Sequence, residues 1–145
     1  MRKILVPVDG SEHADRAVAH AIELYKAGEE PEIHLLNVQI PIDSGHARMF
    51  VSREAVQDYH REEGRAALAS ARRLLEEAGV PYGHHIAIGH VAGTIVRYAR
   101  EHGFDTIIMG RHGGGPLLDA VLGSVARDVV KRSTVPVILV KPAGE

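Results

Sequence analysis

Ile4-Leu5-Val6-Pro7-Val8-Asp9-Gly10-Ser11 decides how the rest of the chain is read. Its near-continuous apolar run is the pattern of a strand buried on both faces, as in a parallel sheet. Pro7 has no N–H to donate, which predicts that the ladder ends there. Asp9-Gly10 turns the chain, and Ser11 is placed to cap a helix. Ala14, Ala17, Val18, Ala21, Ile22 and Tyr25 then follow the i, i+3, i+4, i+7 spacing, with Gly28 as the stop.

The strand–helix unit recurs. Residues Ile33 to Ile40 read as a second strand. A long helix follows from Glu54 to Ala78, with Ala67, Ala71, Leu74, Leu75 and Ala78 on one face and Gly79 and Pro81 ending it. The charges at Arg65, Arg72, Arg73, Glu76 and Glu77 read as its solvated face. Tyr82 to Ile88 alternates weakly, which suggests a sheet edge, and precedes a helix from Ala92 to His102 stopped by Gly103. Asp105 to Met109 is a fourth strand. Leu122 to Ser133 is a fourth helix on Leu122, Val125, Ala126, Val129 and Val130, and Val135 to Val140 is a fifth strand. Strict βαβαβαβαβ alternation with right-handed crossovers predicts an α/β fold, a mostly parallel five-stranded sheet with helices on both faces. No boundary or low-complexity tract interrupts residues 1–145, so one domain is expected.

Composition narrows the function. Among 145 residues, 45% are hydrophobic, 25% are charged and the net charge is -2, so no strong basic field is available for nucleic acid. With no cysteine, thiolate chemistry and disulfides are removed, and a cytoplasmic location is expected. The apolar run after Met1-Arg2-Lys3 meets Asp9 too soon for a signal segment, and no run approaches the roughly 20 residues needed to span a membrane, so no membrane partner is expected.

In an open parallel sheet, ligands bind beyond the carboxyl ends of the strands. That rule selects Val8 to Ser11, Val38 to Ile40, and Gly110 to Ser124. The last begins Gly110-Arg111-His112-Gly113 and, nine residues later, opens a helix with Gly123-Ser124. Glycines let backbone N–H groups approach an anion, and a helix N-terminus adds unpaired donors and a positive dipole end. A purely structural reading, in which the glycines only turn a strand into a helix, stands beside this. The connection is about a dozen residues where about 2 to 6 are usual, and long loops in compact domains tend to carry function. Asp9 reads equally as a cap of the first helix or as a carboxylate for Mg²⁺.

Gly110, Gly113, Gly123 and Ser124 match G-x-x-G-x9-G-[ST], and with the opening Ile4 to Ser11 and the closing Ser133-Thr134-Val135-Pro136-Val137 the chain resembles the ATP-binding branch of the universal stress protein family over essentially its whole length. The resemblance implies strand order 3-2-1-4-5, a homodimer joined through the last strand, Val135 to Val140, and ATP with Mg²⁺ as cofactor. It implies that Pro7, Val8 and Val38 flank adenine and that Asp9 holds ribose or the metal. Gly110, Gly113, Gly123, Ser124 and Val125 would take ribose and phosphates, with Met109, Arg111 and His112 in the same binding set.

Rival motifs fail. His112-Gly113-Gly114-Gly115 looks like an esterase oxyanion segment, but no serine has glycine two before and two after. No lysine follows a glycine as a Walker loop requires, and Leu118 stands where G-x-G-x-x-G needs its third glycine. Ten histidines raise a metal reading, yet His84 and His85, adjacent on a strand, point to opposite faces. Three functional readings remain: a regulatory ATP-binding protein of the stress response, with its downstream protein partner unspecified; a slow ATPase or phosphate-transferring enzyme, with Asp9, Arg111 and His112 as weak candidates; and a dimeric scaffold.

Overall fold

The computed structural model describes residues 2–42, 52–111 and 122–141. His112, Gly113 and the apolar Met49-Phe50 lie outside the described residues. The elements run β1 (Lys3–Pro7), α1 (Glu12–Leu24), β2 (Glu32–Gln39), α2 (Arg53–Ala78), β3 (Tyr82–Ile88), α3 (Val91–Glu101), β4 (Thr106–Gly110), α4 (Ser124–Arg132) and β5 (Val137–Val140). All pairings are parallel and the strand order is 3-2-1-4-5, as the resemblance implies.

Strand periodicity divides the core into two layers. Ile4, Val6 and Val8 face α1 and α2, packing with Ala17, Val18, Leu68, Ala71 and Leu75. Leu5, Leu36, Ile107 and Met109 face α3 and α4, packing with Ile95, Ala99, Ala126 and Val129. β1 ends at Pro7, and one further backbone bond, from the Val8 N–H to the Leu36 carbonyl (2.8 Å), carries the chain to the turn. Ser11 caps α1 by accepting from the Ala14 N–H (3.3 Å), and Ser52 caps α2 by accepting from Ala55 (3.1 Å). Each such cap contributes about 1 kcal/mol. α1 passes into a π-helical turn at Tyr25–Glu29, where Gly28 adopts φ 102° and stops it.

Three details depart from the sequence expectation or add to it. The fully buried stripe of α2 is His60, Gly64, Leu68, Ala71 and Leu75, whereas Ala67, Leu74 and Ala78 are half-buried beside it. A histidine and a glycine at the head of the stripe hide its true line. Arg72 stays on the solvated face with Arg65, Arg73, Glu76 and Glu77 but also reaches across to the sheet: its Nε donates to the Tyr82 hydroxyl (3.0 Å), which donates to Glu76 (2.6 Å), tying α2 to β3. In α4, Ala126 and Val129 are buried but Val130 is 47% exposed, because a nine-residue helix turns it past the sheet. Among the described residues β3 pairs with β2 alone, so the weak alternation of Tyr82 to Ile88 does mark an edge.

Candidate functional site

Strand order reverses between β1 and β4, and the turns leaving their carboxyl ends part there. A cavity of about 270 Å³ opens at that point. Pro7, Val8 and Asp9 come to it from β1, Val38 from β2, Met109 and Gly110 from β4 and Val125 from α4, so seven residues singled out in the sequence share one wall. Most of the lining is apolar, with a few polar groups, as is usual for a small-molecule site.

Of the other described candidates, Arg111, Gly123 and Ser124 do not line it. Ser124 lines an adjoining groove of about 590 Å³ that runs between the first half of α3 and the length of α4, bordered by His90, Arg97, Asp128 and Arg132. Val91 and Val125 belong to both walls, so groove and cavity are neighbours. Gly123 precedes α4 with extended backbone, φ -61° and ψ 152°, and provides no side-chain cap. Its own N–H donates to the Arg111 carbonyl (2.8 Å). The amides of the following turn have no intrahelical acceptor, as in any helix, and these are the donors available to an anion.

Two assignments are sharpened. Asp9 does not cap α1, a position Ser11 holds. Its Oδ1 accepts from the Ser11 N–H (2.9 Å), which orders the turn. Gly110 is demanded by packing: a Cβ there would stand 2.7 Å from the His13 carbonyl oxygen and 2.8 Å from the His13 Cβ. Its missing side chain lets β4 abut α1, and its backbone still lines the cavity.

Sequence reasoning missed Asn37, Val91 and Ile95 in the wall, while Ile40 belongs to the segment it had selected. Asn37 left a signal, as an amide in the otherwise apolar Leu35-Leu36-Asn37-Val38. It is 3% exposed.

The histidines form no metal cluster: among the described residues no group of three or more His, Asp or Glu side chains is arranged to hold an ion. His84 lies near Tyr82, whereas His85 meets His34 at 2.9 Å between ring nitrogens and packs near Tyr98, so the two occupy opposite faces. Burial, then the neighbouring His34, His84, His102 and Lys3, hold His85 below its ordinary value of 6.5. A histidine depressed in the folded state is more readily protonated when unfolded, so its contribution is present above 6.5 and is lost as pH falls through the folded value. Urea midpoints compared between about pH 7.5 and pH 5.5 should therefore fall more steeply for the native chain than for His85→Asn. Equal slopes would exclude this role for His85.

The family model of the universal stress protein family matches residues 1–141. Universal stress protein MJ0531 of Methanocaldococcus jannaschii is 33% identical over 146 residues, covering 97% of this chain and 82% of that protein. The solved structure of MJ0577 from the same organism superposes with a TM-score of 0.81 at 32% identity, covering 99% of this chain and 98% of that one. An Arabidopsis thaliana universal stress protein family protein, solved with AMP bound, shares the fold at a TM-score of 0.72 and 21% identity, over 99% and 94% of the two chains.

Proposed function

Because this chain belongs to the universal stress protein family, we propose that it binds ATP in the cavity between β1, β2 and β4 and acts as a nucleotide-dependent regulatory protein of the stress response. The observation that carries this reading is the position of the cavity, at the switch point of the sheet and next to the open N-terminus of α4. Its volume of about 270 Å³ approaches the lower bound, about 300 Å³, of small-molecule pockets. That suits a base with part of its sugar, with the phosphates extending toward Ser124 and the adjoining groove.

The residues divide the work by chemistry. Val38, Ile40 and Val91 offer apolar surface to the faces of a purine. Asp9 has one oxygen held by Ser11, and the other is suited to a ribose hydroxyl or to Mg²⁺. Mg²⁺ commonly takes one carboxylate with substrate phosphates, so a single acid is enough and the metal would arrive with the nucleotide. The α4 amides and dipole favour the phosphates, each such interaction contributing about 0.3–1 kcal/mol.

Hydrolysis needs a water-positioning base and a cation for the transition state. Asp9 is the one charged side chain in the described cavity wall, which favours binding and release over turnover. Among the described residues the edge strand β5 pairs only with β4 and presents Val137–Val140 half-buried, which supports a homodimer contact there.

Gly123→Val tests the phosphate end. A branched side chain beside the open amides should weaken ATP binding about tenfold, the middle of what the loss of two or three donors at about 0.3–1 kcal/mol each gives, while adenosine affinity holds. Isothermal titration with both ligands reads the split. Unchanged ATP affinity would place the phosphates elsewhere.

A further inference from the structure

A line of side-chain hydrogen bonds leads from the cavity floor into α2, and its members do not all touch the cavity. Asn37 Nδ2 donates to the Val8 carbonyl oxygen at 2.8 Å. Gln39 Nε2 donates to Asn37 Oδ1 at 2.7 Å. His60 Nδ1 lies 3.4 Å from Gln39 Oε1. Asn37 and His60 are 3% and 4% exposed, so water cannot readily replace these partners.

The direction of the line follows from the groups themselves. A carbonyl oxygen only accepts, so Asn37 must turn its NH₂ to Val8, which leaves its Oδ1 for a donor. Only the Gln39 amide nitrogen can meet that oxygen, which turns Gln39 Oε1 to α2 and requires His60 to carry its proton on Nδ1. Each group thereby sets the orientation of the next.

We propose that Asn37 is a positioning residue for the nucleotide, held in its working orientation by Gln39 and His60. The Val8 carbonyl that it fixes leads directly into Asp9, whose carboxylate accepts from Ser11. β1 has already ended at Pro7, so the ladder no longer holds this carbonyl and the Asn37 side chain takes over where the turn begins. Asn37 thus sets the carboxylate of Asp9 against the wall that meets the base and sugar. This role rests on the nucleotide reading of the cavity.

Gln39 makes the decisive test because it does not line the cavity. In Gln39→Leu the Asn37 amide is free to rotate, and ATP affinity by calorimetry should fall about tenfold, the loss of about one net hydrogen bond. Asn37→Ala should lose as much or more, and the double variant should be no weaker than Asn37→Ala alone. A merely structural role would instead give additive losses that follow the melting temperature. The ligand-free protein supplies an independent readout: exchange of the Ser11 amide with deuterium should quicken about tenfold in Gln39→Leu, while amides of β4 hold. If the native chain binds no ATP but Ser11 exchange responds, the nucleotide reading fails and the line still positions Asp9. If ATP binds and Gln39→Leu changes neither affinity nor exchange, the positioning role is overturned.

Discussion

Gly110→Ala is expected to destabilise the fold by about 1–3 kcal/mol, the range for forcing a methyl into a packed interior. The added Cβ would meet the carbonyl oxygen, Cβ and carbonyl carbon of His13 at 2.7, 2.8 and 2.9 Å. Two of these atoms are main chain inside the first turn of α1, so neither can rotate away. Relief requires α1 to lift from β4, and Ala14, Ala17 and Val18 are buried against the sheet on that same helix. Urea denaturation checks the value. A loss below about 0.5 kcal/mol, the scatter of ordinary surface changes, would show that β4 and α1 are less closely packed than described.

Val38→Arg carries the largest expected effect on binding. Val38 lies on β2 in the wall of the cavity, half-buried and packed at the margin of the α3–α4 core layer. A guanidinium there can reach solvent along its own stem, so the fold should tolerate it. The longer side chain then fills the space for the base and takes away the apolar surface that a purine would cover. Burial of roughly 100 Å² of purine surface at about 25 cal/mol per Å² corresponds to about 2.5 kcal/mol, or nearly a hundredfold in affinity. Competition by adenosine and by inorganic triphosphate separates the ends of the ligand: the first should lose nearly all of its affinity and the second little. An equal loss for both would mean that Val38 acts through the fold.

The sheet is legible because its signals are local and repeated. Ile4 to Val8 shows a doubly buried strand, Ser11 and Gly28 bracket α1, and the uneven Tyr82 to Ile88 is an edge strand with one partner. The α2 stripe is harder to place because His60 and Gly64 are not hydrophobic by type, although both are buried in the fold. Val130 shows the limit of helical spacing, since a short helix covers only the few positions that the sheet meets.

At the site, the rule that ligands gather beyond strand ends, together with the family resemblance, found Pro7, Val8, Asp9, Val38, Met109, Gly110 and Val125 without any distance in hand. Neither could give reasons. Gly110 reads as a glycine kept clear for phosphate, and the contact that requires it is with His13, far away in sequence. Asn37 belongs to the wall through a bond to Val8, 29 positions earlier, and no periodicity encodes such a pairing. Asp9 stands in the sequence between capping and ligand contact, and the Ser11 cap settles only the first half of that choice.

Titration of ATP with Mg²⁺ into the purified, nucleotide-free chain by calorimetry tests nucleotide binding at the switch point most directly. Saturable binding at one site per chain is expected, strongly weakened by Val38→Arg and less so by Gly123→Val. Absence of binding up to millimolar ATP, with the native chain folded, would contradict it.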